Sequence, residues 1–337
     1  MSVTLENIAI QVGCSKATVS RALRNDRLVH SSTRSLVLEA AARNGYERPA
    51  KKGRKTALLQ PRILLLLPPR VIAASNLTLQ HYIRGLTRGA GELDCLLSVE
   101  EILTVGTGGL RKKSHLPREI RTGGADVAVV VDHHSAADVE TLAKILPIVS
   151  IQWDYNGAQS DLVSTFNCQG IEELVGKLRE RGHRRLVWIG YQYGGSFVAD
   201  RKVGFLKGCM AGGLEVHPSH LFEDHHFLEK PGAFQELLGR GITGAVCVND
   251  ATAREVVSLA LLAGVRIPED LSVTGFDASP NLLPNGKLLT SYDPIFEEIG
   301  RRVVFSALQR LKDPGSPRTV QLCEGRVRVG ETIAKCR

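Results

Sequence analysis

The sequence lacks any apolar run long enough to cross a lipid bilayer. Its longest run, Ile63 to Pro69, falls far short of the roughly 20 apolar residues that a membrane-spanning helix needs. The first residues, MSVTLENIAIQ, also lack the basic segment followed by an apolar segment that directs export. These two absences predict a cytoplasmic protein without a membrane partner.

Cysteines at metal-ligand or redox spacing are missing as well. The seven cysteines are dispersed, odd in number and never spaced as CxxC, so we expect reduced thiols and neither disulfides nor a zinc framework. Two histidine pairs, His133-His134 and His225-His226, are adjacent in sequence. Adjacent histidines rarely converge on one ion without further ligands, so we predict no metal site.

Motifs for catalysis and for phosphate binding are also absent. The glycines of VGTGGL (105–110) and YGGS (193–196) follow neither Walker nor GxGxxG spacing. No serine lies in a GxSxG elbow, and no histidine and aspartate partners stand at a recognisable spacing. We therefore predict that the protein is not an enzyme and has no cofactor.

What the sequence does have is a strongly uneven charge distribution. Residues 1–61 hold eleven lysine and arginine residues against four acidic ones, although the whole chain has a formal net charge of only +8. Nearly all of the excess positive charge therefore lies at one end. Such a basic end on a near-neutral body is the electrostatic footprint of a nucleic-acid-binding module.

Three short helices are predicted within the first fifty residues. Apolar side chains at spacings of three and four predict a helix over 5–12, and Ser15 can cap a second helix that ends before Asn25. Gly13 permits the positive φ of a tight turn between them. The third helix is predicted to have Ser31 or Ser32 as its cap and the following residues facing inward: Leu36, Ala40 and Ala41.

The solvent face of the second predicted helix is rich in hydroxyl and basic groups. Short hydroxyl side chains suit phosphate oxygens, while Lys16 and Arg21 can reach the O6 and N7 atoms of guanine. A three-helix bundle without a partner is the alternative, and it leaves this face unexplained. We therefore predict DNA contacts from these residues: Ser15, Lys16, Ala17, Thr18, Ser20 and Arg21.

A basic linker over 49–61 is predicted to follow the DNA-binding domain of residues 1–48. It holds four bases in five residues around Gly53, and glycine costs about 1 kcal/mol within a helix. The bases either enter the minor groove of DNA through their charge or belong to a solvated linker. They are Lys51, Lys52, Arg54 and Lys55.

From Arg62 onward, short apolar runs alternate with amphipathic stretches, and 43% of the chain is hydrophobic. Continuous Val, Ile and Leu strands separated by helices predict parallel sheets covered on both faces, and two doubly wound subdomains fit this length better than one sheet. Strands are predicted over 63–67, 94–101, 126–132, 147–153, 184–190, 243–250 and 271–277. Helices are predicted over 77–92, 138–146, 168–182, 200–212, 230–240, 251–264 and 294–312.

Several of these predicted strands end in polar residues. In such folds, ligands bind beyond the carboxyl ends of the strands. Each polar residue alone is typical of a turn, but together they predict a polar cleft with Trp153 as an aromatic wall, suited to a hydroxyl-rich small molecule. The strand ends are Gln152-Trp153-Asp154, Asn249-Asp250 and Asp277.

The stretch from Val3 to Tyr46 resembles the amino-terminal domain of the LacI/GalR family of bacterial regulators, and SKATVSRAL resembles its recognition helix. The resemblance implies that Lys16, Ala17 and Arg21 read bases while Thr18 and Ser20 contact phosphates. It continues, in order, through ERGHRRLVWIG, DRKVGF, VND, GVRIPEDLSVTGFD, LLTSYDPIFEEIGR and RVRVGET.

The resemblance also implies the architecture of residues 62–337. A helix-turn-helix head would be followed by an α/β effector-binding and dimerisation domain with two lobes, similar to periplasmic binding proteins. Lobe one is expected near 62–160 plus 291–325, and lobe two near 161–290 plus 326–337. The implied effector contacts are Arg201, Asn249, Asp250 and Asp277, with Asn76 at the opening of the first lobe's helix.

Together, these observations predict a sequence-specific DNA-binding transcriptional regulator, a repressor, of the bacterial cytoplasm and nucleoid. A homodimer would read the two half-sites of a pseudo-palindromic operator. A small-molecule effector, a sugar or related metabolite, would control operator affinity. The alternative is a cytoplasmic or exported sugar-binding receptor without a DNA-binding role, for which the basic head has no purpose.

Overall fold

The computed structural model describes residues 4–23, 29, 31–44, 46, 60–67, 77–102, 109–111, 113–131, 134–155, 157–191, 195–279 and 282–336. The chain divides into two compact units, Met1–Leu59 and Gln60–Arg337. The following predicted contact and linker residues lie outside the described residues: Lys51, Lys52, Gly53, Arg54, Lys55 and Asn76.

The smaller unit contains the three predicted helices, α1 (Leu5–Val12), α2 (Lys16–Leu23) and α3 (Ser31–Arg43). Thr4 and Asn7 form a capping box that starts α1. Gly13 ends α1 with a φ of +67°, a left-handed conformation that glycine adopts without steric cost. The sequence therefore encodes the tight turn before α2.

The packing of α3 differs from the prediction. Leu36 is 55% exposed, whereas Val37 is fully buried beside Ala40 and Ala41. The inward position predicted for Leu36 is wrong, because residues 37, 40 and 41 share a helix face that Leu36 does not. α3 also includes the residues predicted to cap it, Ser31 and Ser32.

The larger unit contains two six-stranded sheets, each with its own helices, which we call lobe one and lobe two. The sheet of lobe one is parallel throughout, in the order β11-β5-β4-β3-β1-β2. Its strands are β1 (Arg62–Leu67), β2 (Leu96–Glu101), β3 (Val127–Val131), β4 (Ile148–Ile151), β5 (Ser160–Thr165) and β11 (Val320–Cys323). Its helices are α4 (Leu77–Glu92), α5 (Arg118–Thr122), α6 (Ala136–Ala143) and α11 (Phe296–Lys312).

The sheet of lobe two has the order β12-β10-β9-β8-β6-β7, with β12 antiparallel to β10 and the other pairs parallel. Its strands are β6 (Leu186–Ile189), β7 (Leu221–Phe222), β8 (Gly244–Cys247), β9 (Ser272–Phe276), β10 (Thr290–Asp293) and β12 (Arg326–Arg328). Its helices are α7 (Asn167–Glu180), α8 (Ser196–Ala211), α9 (Ala233–Gly239) and α10 (Asp250–Leu262).

The chain passes between the lobes after β5, after β10 and after β11. The lobe boundaries predicted at 160–161 and 290–291 differ from these crossings by a few residues, because β5 pairs within lobe one and β10 within lobe two. The boundary predicted at 325–326 falls between β11 and β12. No described helix has both the length and the apolar character needed to span a membrane.

A buried ion pair fixes α11 to the sheet of lobe one. Two nitrogens of Arg310 lie 2.7 and 2.5 Å from the carboxylate oxygens of Asp161 on β5. Burial alone would raise the pKa of Asp161, but hydrogen bonds from Arg310 and Thr319 outweigh it and hold that pKa below its ordinary value. Removing either partner would leave a buried, uncompensated charge.

Candidate nucleic-acid interface and ligand cleft

The capping of α2 organises the candidate nucleic-acid interface. The hydroxyl of Ser15 accepts a hydrogen bond from the backbone N–H of Thr18 at 3.1 Å and lies 2.8 Å from the Thr18 hydroxyl. This cap fixes the first turn of α2. Lys16 is exposed and pairs with Glu6 of α1 at 3.1 Å, a surface contact that contributes little stability and is readily exchanged.

Four of the predicted DNA-contacting residues lie on the side of α2 away from its buried face. Val19 and Ala22 are buried within the bundle, and the positions on the other side of a helix follow from 3.6 residues per turn. That side holds Lys16, Ala17, Ser20 and Arg21. Lys16, Ala17 and Arg21 are exposed, whereas Thr18 and Ser20 are half-buried.

A cleft of about 240 Å³ lies between the two lobes. Four predicted effector-contact residues line it, Trp153 from lobe one and Arg201, Asn249 and Asp277 from lobe two. Asn249 and Asp277 lie at one edge because the parallel strands β8 and β9 of lobe two end there, whereas Arg201 reaches the cleft from α8 and Trp153 follows β4 of lobe one. Five aromatic rings also line the cleft: Tyr82, Trp153, Tyr191, Phe197 and Phe296.

Arg201 is the central polar residue of the cleft and is only 3% exposed. Its Nη1 donates to the carbonyl of Val248 at 2.8 Å and its Nη2 to Asp277 at 3.2 Å. The guanidinium carbon lies 3.6 Å from the centre of the Phe276 ring, a cation–π contact. Burial raises the pKa of Asp277, although Arg201 opposes this rise.

Asp154, also predicted to contact the effector, does not line the cleft. Its carboxylate pairs with Arg318 at 2.7 Å, and its backbone N–H donates to the Ser196 hydroxyl at 3.0 Å. Its side chain is therefore directed to Arg318 of lobe one, while its backbone contacts lobe two. This geometry differs from the sequence-based placement, which rested on Asp154 being one of several polar residues at predicted strand ends.

Asp250 likewise does not line the cleft. It is 2% exposed at the start of α10 and accepts hydrogen bonds from the Ser291 hydroxyl at 2.6 Å and the Ser279 backbone at 2.7 Å. Burial, together with repulsion from Asp277, raises the pKa of Asp250 to about 8. Asp250 therefore connects the segments after β9 and in β10 instead of reaching the cleft.

The aromatic wall extends across both lobes. The rings of Trp153 and Phe197 meet edge to face with their centres 5.8 Å apart. Sequence reasoning missed Phe197 and three other rings, since they lie on elements far apart in the chain. Gln152 also lines the cleft; it was predicted as one of the polar strand ends of the cleft but was not assigned an effector contact.

One histidine pair lies within a cluster of candidate metal ligands. The ligand atoms of His225, His226 and Glu229 lie within 4.8 Å of one another, and Nδ1 of His226 is 2.6 Å from Glu229. His226 and Glu229 are exposed. Of the other pair, His134 is buried and His133 lies outside the described part of the chain.

Family models match both parts of the chain. Residues 4–48 match the bacterial regulatory proteins of the lacI family, and residues 175–333 match the periplasmic binding protein-like domain. The chain belongs to the LacI/GalR family. The predicted fold, a helix-turn-helix head and a two-lobe α/β effector domain, is thereby confirmed.

Curated relatives span almost the whole chain. The HTH-type transcriptional repressor PurR of Pasteurella multocida is 22% identical over 324 residues, covering 94% of both chains. The HTH-type transcriptional repressor CytR of Escherichia coli K12 is 26% identical over 329 residues, covering 95% of this chain and 94% of that one.

Solved structures share the fold. A complex of the transcriptional regulator CelR with cellobiose superposes with a TM-score of 0.65 at 20% identity, over 98% of this chain and 99% of that one. The lac repressor dimer, bound to operator and the anti-inducer ONPF, gives a TM-score of 0.64 at 17% identity, over 99% and 100% of the two chains.

The family member described here is a DNA-binding transcriptional regulator with a small-molecule effector domain, as the sequence predicted. The family consists of transcriptional regulators, which are not enzymes. The alternative prediction, a sugar-binding receptor without a DNA-binding role, has no support from these relatives.

Proposed function

We propose that this regulator is a homodimeric repressor of the bacterial cytoplasm and nucleoid, controlled by an uncharged sugar bound in the cleft. The observation that carries the proposal is the make-up of the cleft, in which aromatic rings from both lobes surround a few polar groups. Sugars fit such sites, because their apolar ring faces pack on aromatic side chains while their hydroxyls pair with polar groups.

The charges of the cleft favour a neutral effector. Among the described residues that line it, the charged ones are Arg201 and Asp277, and they pair with each other. No uncompensated charge on those residues would select a phosphate or a carboxylate. We assign Arg201, Asn249 and Asp277 to the sugar hydroxyls and Trp153 to a ring face. The cellobiose bound to CelR is consistent with this ligand class.

DNA recognition is assigned to α2. Lys16, Ala17 and Arg21 would reach base edges in the major groove, while Ser15, Thr18 and Ser20 would contact phosphates. In a dimer, two such helices would read the half-sites of a pseudo-palindromic operator.

Exposed leucines of lobe two support the dimer. Leu261 and Leu262 at the end of α10 are 47% and 86% exposed, and Leu282 is 63% exposed. Arg254, one turn after the start of α10, donates to the carbonyl of Leu282 at 2.7 Å. Because residues 254, 258, 261 and 262 share a helix face, these leucines extend along one side of the lobe. We propose a second copy of the chain as their partner.

Effector binding would act through the angle between the lobes. A ligand shifts an equilibrium only by its difference in affinity for the two states. A sugar that contacts both walls of the cleft binds a particular lobe angle best, and this angle would set the spacing of the two DNA-binding heads.

Two measurements test the proposal. A thermal-shift panel compares glucose, galactose, xylose, maltose and cellobiose with glucose 6-phosphate, and we expect a neutral sugar to raise the melting temperature more than the phosphate does. A gel shift then measures binding to the promoter of the protein's own operon with and without that sugar. Absence of a salt-sensitive shift, or stabilisation by the phosphate alone, would contradict the proposal.

A further inference from the structure

Gln152 places a buried, unpaired donor at the wall of the cleft. It follows β4, lines the cleft and is 8% exposed. Its Nε2 atom is buried and has no hydrogen-bond partner among the described residues. Buried N–H groups are almost always paired in folded proteins, because an unpaired one has lost its water without replacement. The missing partner at this position therefore points to a ligand.

The orientation of the Gln152 amide follows from a hydrogen-bond network that includes Arg201, Asn167 and Ser164. Nε of an arginine only donates, and here it donates to Oδ1 of Asn167 at 2.9 Å. Asn167 must therefore direct Nδ2 the other way, where it lies 3.3 Å from Oε1 of Gln152, 3.2 Å from the Ser164 hydroxyl and 3.3 Å from the Thr165 carbonyl oxygen. The hydroxyl of Ser164 also lies 2.5 Å from that Oε1 atom. The carbonyl oxygen of Gln152 is thus occupied, and its Nε2 is the group left free.

We propose that Gln152 is a specificity-determining residue of the effector site, and that its amide nitrogen donates to an oxygen of the bound sugar. This inference rests on the proposed function. A hydroxyl or ring oxygen of a neutral sugar accepts such a bond. Arg201 then has a second task beside its place in the cleft, because through Asn167 it positions Gln152 as a donor and not as an acceptor.

Replacement of Gln152 by leucine tests the donor. Leucine keeps a similar size and cannot donate, so we expect the Kd for the panel sugar that stabilises wild type most to rise about tenfold. Gln159→Leu is the matched control, since Gln159 is exposed and outside the residues that line the cleft. Gln152→Glu serves as a second variant of equal length if the leucine variant does not fold.

Asn167→Asp tests the positioning by Arg201. A carboxylate still accepts from Arg201 but cannot donate to Gln152, whose amide would turn and present Oε1 to the sugar. We expect the same tenfold loss, and no further loss when Asn167→Asp is combined with Gln152→Leu. If the two substitutions weakened sugar binding independently, their effects would multiply, and the double variant would lose about a hundredfold in affinity.

The outcomes separate this inference from the proposed function. If a neutral sugar stabilises wild type and Gln152→Leu equally, a water pairs with Nε2, and the inference fails while the proposed function stands. If the double variant loses about a hundredfold in affinity, the two residues act independently, and the inference that Arg201 positions Gln152 is wrong. If no neutral sugar in the panel binds wild type, both the proposed function and the inference fail.

Discussion

A β-carbon on Gly195 would lie 2.6 Å from the indole of Trp153, so these two residues meet only because Gly195 has no side chain. Gly195 precedes α8 in lobe two, whereas Trp153 follows β4 in lobe one. Their contact brings the lobes together at the wall of the effector cleft. The contact between Gly195 and the Trp153 indole therefore links the angle between the lobes to the shape of the effector cleft.

We expect Gly195→Ala to displace Trp153 and to weaken sugar binding about tenfold, because the added methyl group occupies the position of the indole. The chain has two tryptophans, and Trp188 is fully buried, so a red shift of tryptophan emission would report Trp153. Fluorescence and calorimetric titration with the panel sugar measure the two effects. Unchanged emission together with unchanged affinity would refute the coupling.

Two glycines of the packed helices α7 and α8 should respond oppositely to alanine. A β-carbon on Gly204 of α8 would overlap the backbone carbonyl of Cys168, whereas one on Gly176 of α7 meets no atom within 4 Å. We expect Gly204→Ala to lower the free energy of unfolding by about 1–3 kcal/mol and Gly176→Ala to raise it by about 0.5–1 kcal/mol. Urea unfolding measures both. Equal changes in the free energy of unfolding of the two variants would show that close packing of α7 and α8 does not require glycine at position 204.

Helices and strands with apolar buried side chains were predicted from the sequence, whereas a strand with polar buried side chains was missed. The helix predicted over 77–92 agrees with α4, and continuous Val and Leu runs marked β1 and β3. β5 was missed because its buried positions include Ser160, Asp161 and Ser164. The partner of Asp161 is Arg310, 149 residues away, and no local sequence pattern predicts a pair at such a separation.

The residue pattern predicted the candidate site where it follows strand ends, and the family resemblance added Arg201 on α8. Asn249 and Asp277 each follow an apolar run of the same parallel sheet, so their convergence followed from that sheet. Trp153 follows an apolar run of the other sheet, and it meets them through the packing of the two lobes. Tyr82 lies on α4 and Phe296 on α11, and the centres of their two rings are 4.9 Å apart. Their contribution depends on how distant helices pack, which no periodicity within either helix specifies.

His183 should make stability depend on pH. It is 3% exposed, donates from Nε2 to the carbonyl of Ala334 at 3.0 Å and accepts at Nδ1 from Thr243 at 2.9 Å. Burial lowers its pKa below 6.5. The unfolded chain therefore binds a proton that the folded chain excludes, and stability falls as the pH drops below about 6.5.

We expect a loss of roughly 1 kcal/mol between about pH 7.5 and pH 5.5, measured by urea unfolding at each pH. His183→Gln should be less stable at neutral pH and show a flatter pH profile. A wild-type slope in the His183 variant would show that another group carries the proton.

Arg21→Ala should weaken operator binding by about 1–3 kcal/mol and relax base preference at one position of each half-site, since it removes a donor to a base edge. Arg43→Ala is the matched control, because it removes the same charge from the exposed end of α3. Fluorescence anisotropy against operator variants measures both. Equal losses on every DNA sequence would assign Arg21 to the phosphates instead.

The proposed dimer can be broken through Leu262, which is 86% exposed at the end of α10. An aspartate there would bury an unpaired charge in the interface but stay hydrated in a monomer. We therefore expect Leu262→Asp to sediment as a monomer at concentrations where wild type is a dimer. Operator affinity should fall by about a hundredfold or more, because the second head no longer binds intramolecularly.

Met210→Asp is the matched control for this change. Met210 is 75% exposed on α8, and α8 and α10 pack against different core clusters of lobe two. A charge at Met210 should therefore leave the dimer intact. If Leu262→Asp remains a dimer while Met210→Asp dissociates, the interface lies on the α8 side of the lobe. If both remain dimers, neither face of lobe two is essential, and lobe one must carry the association.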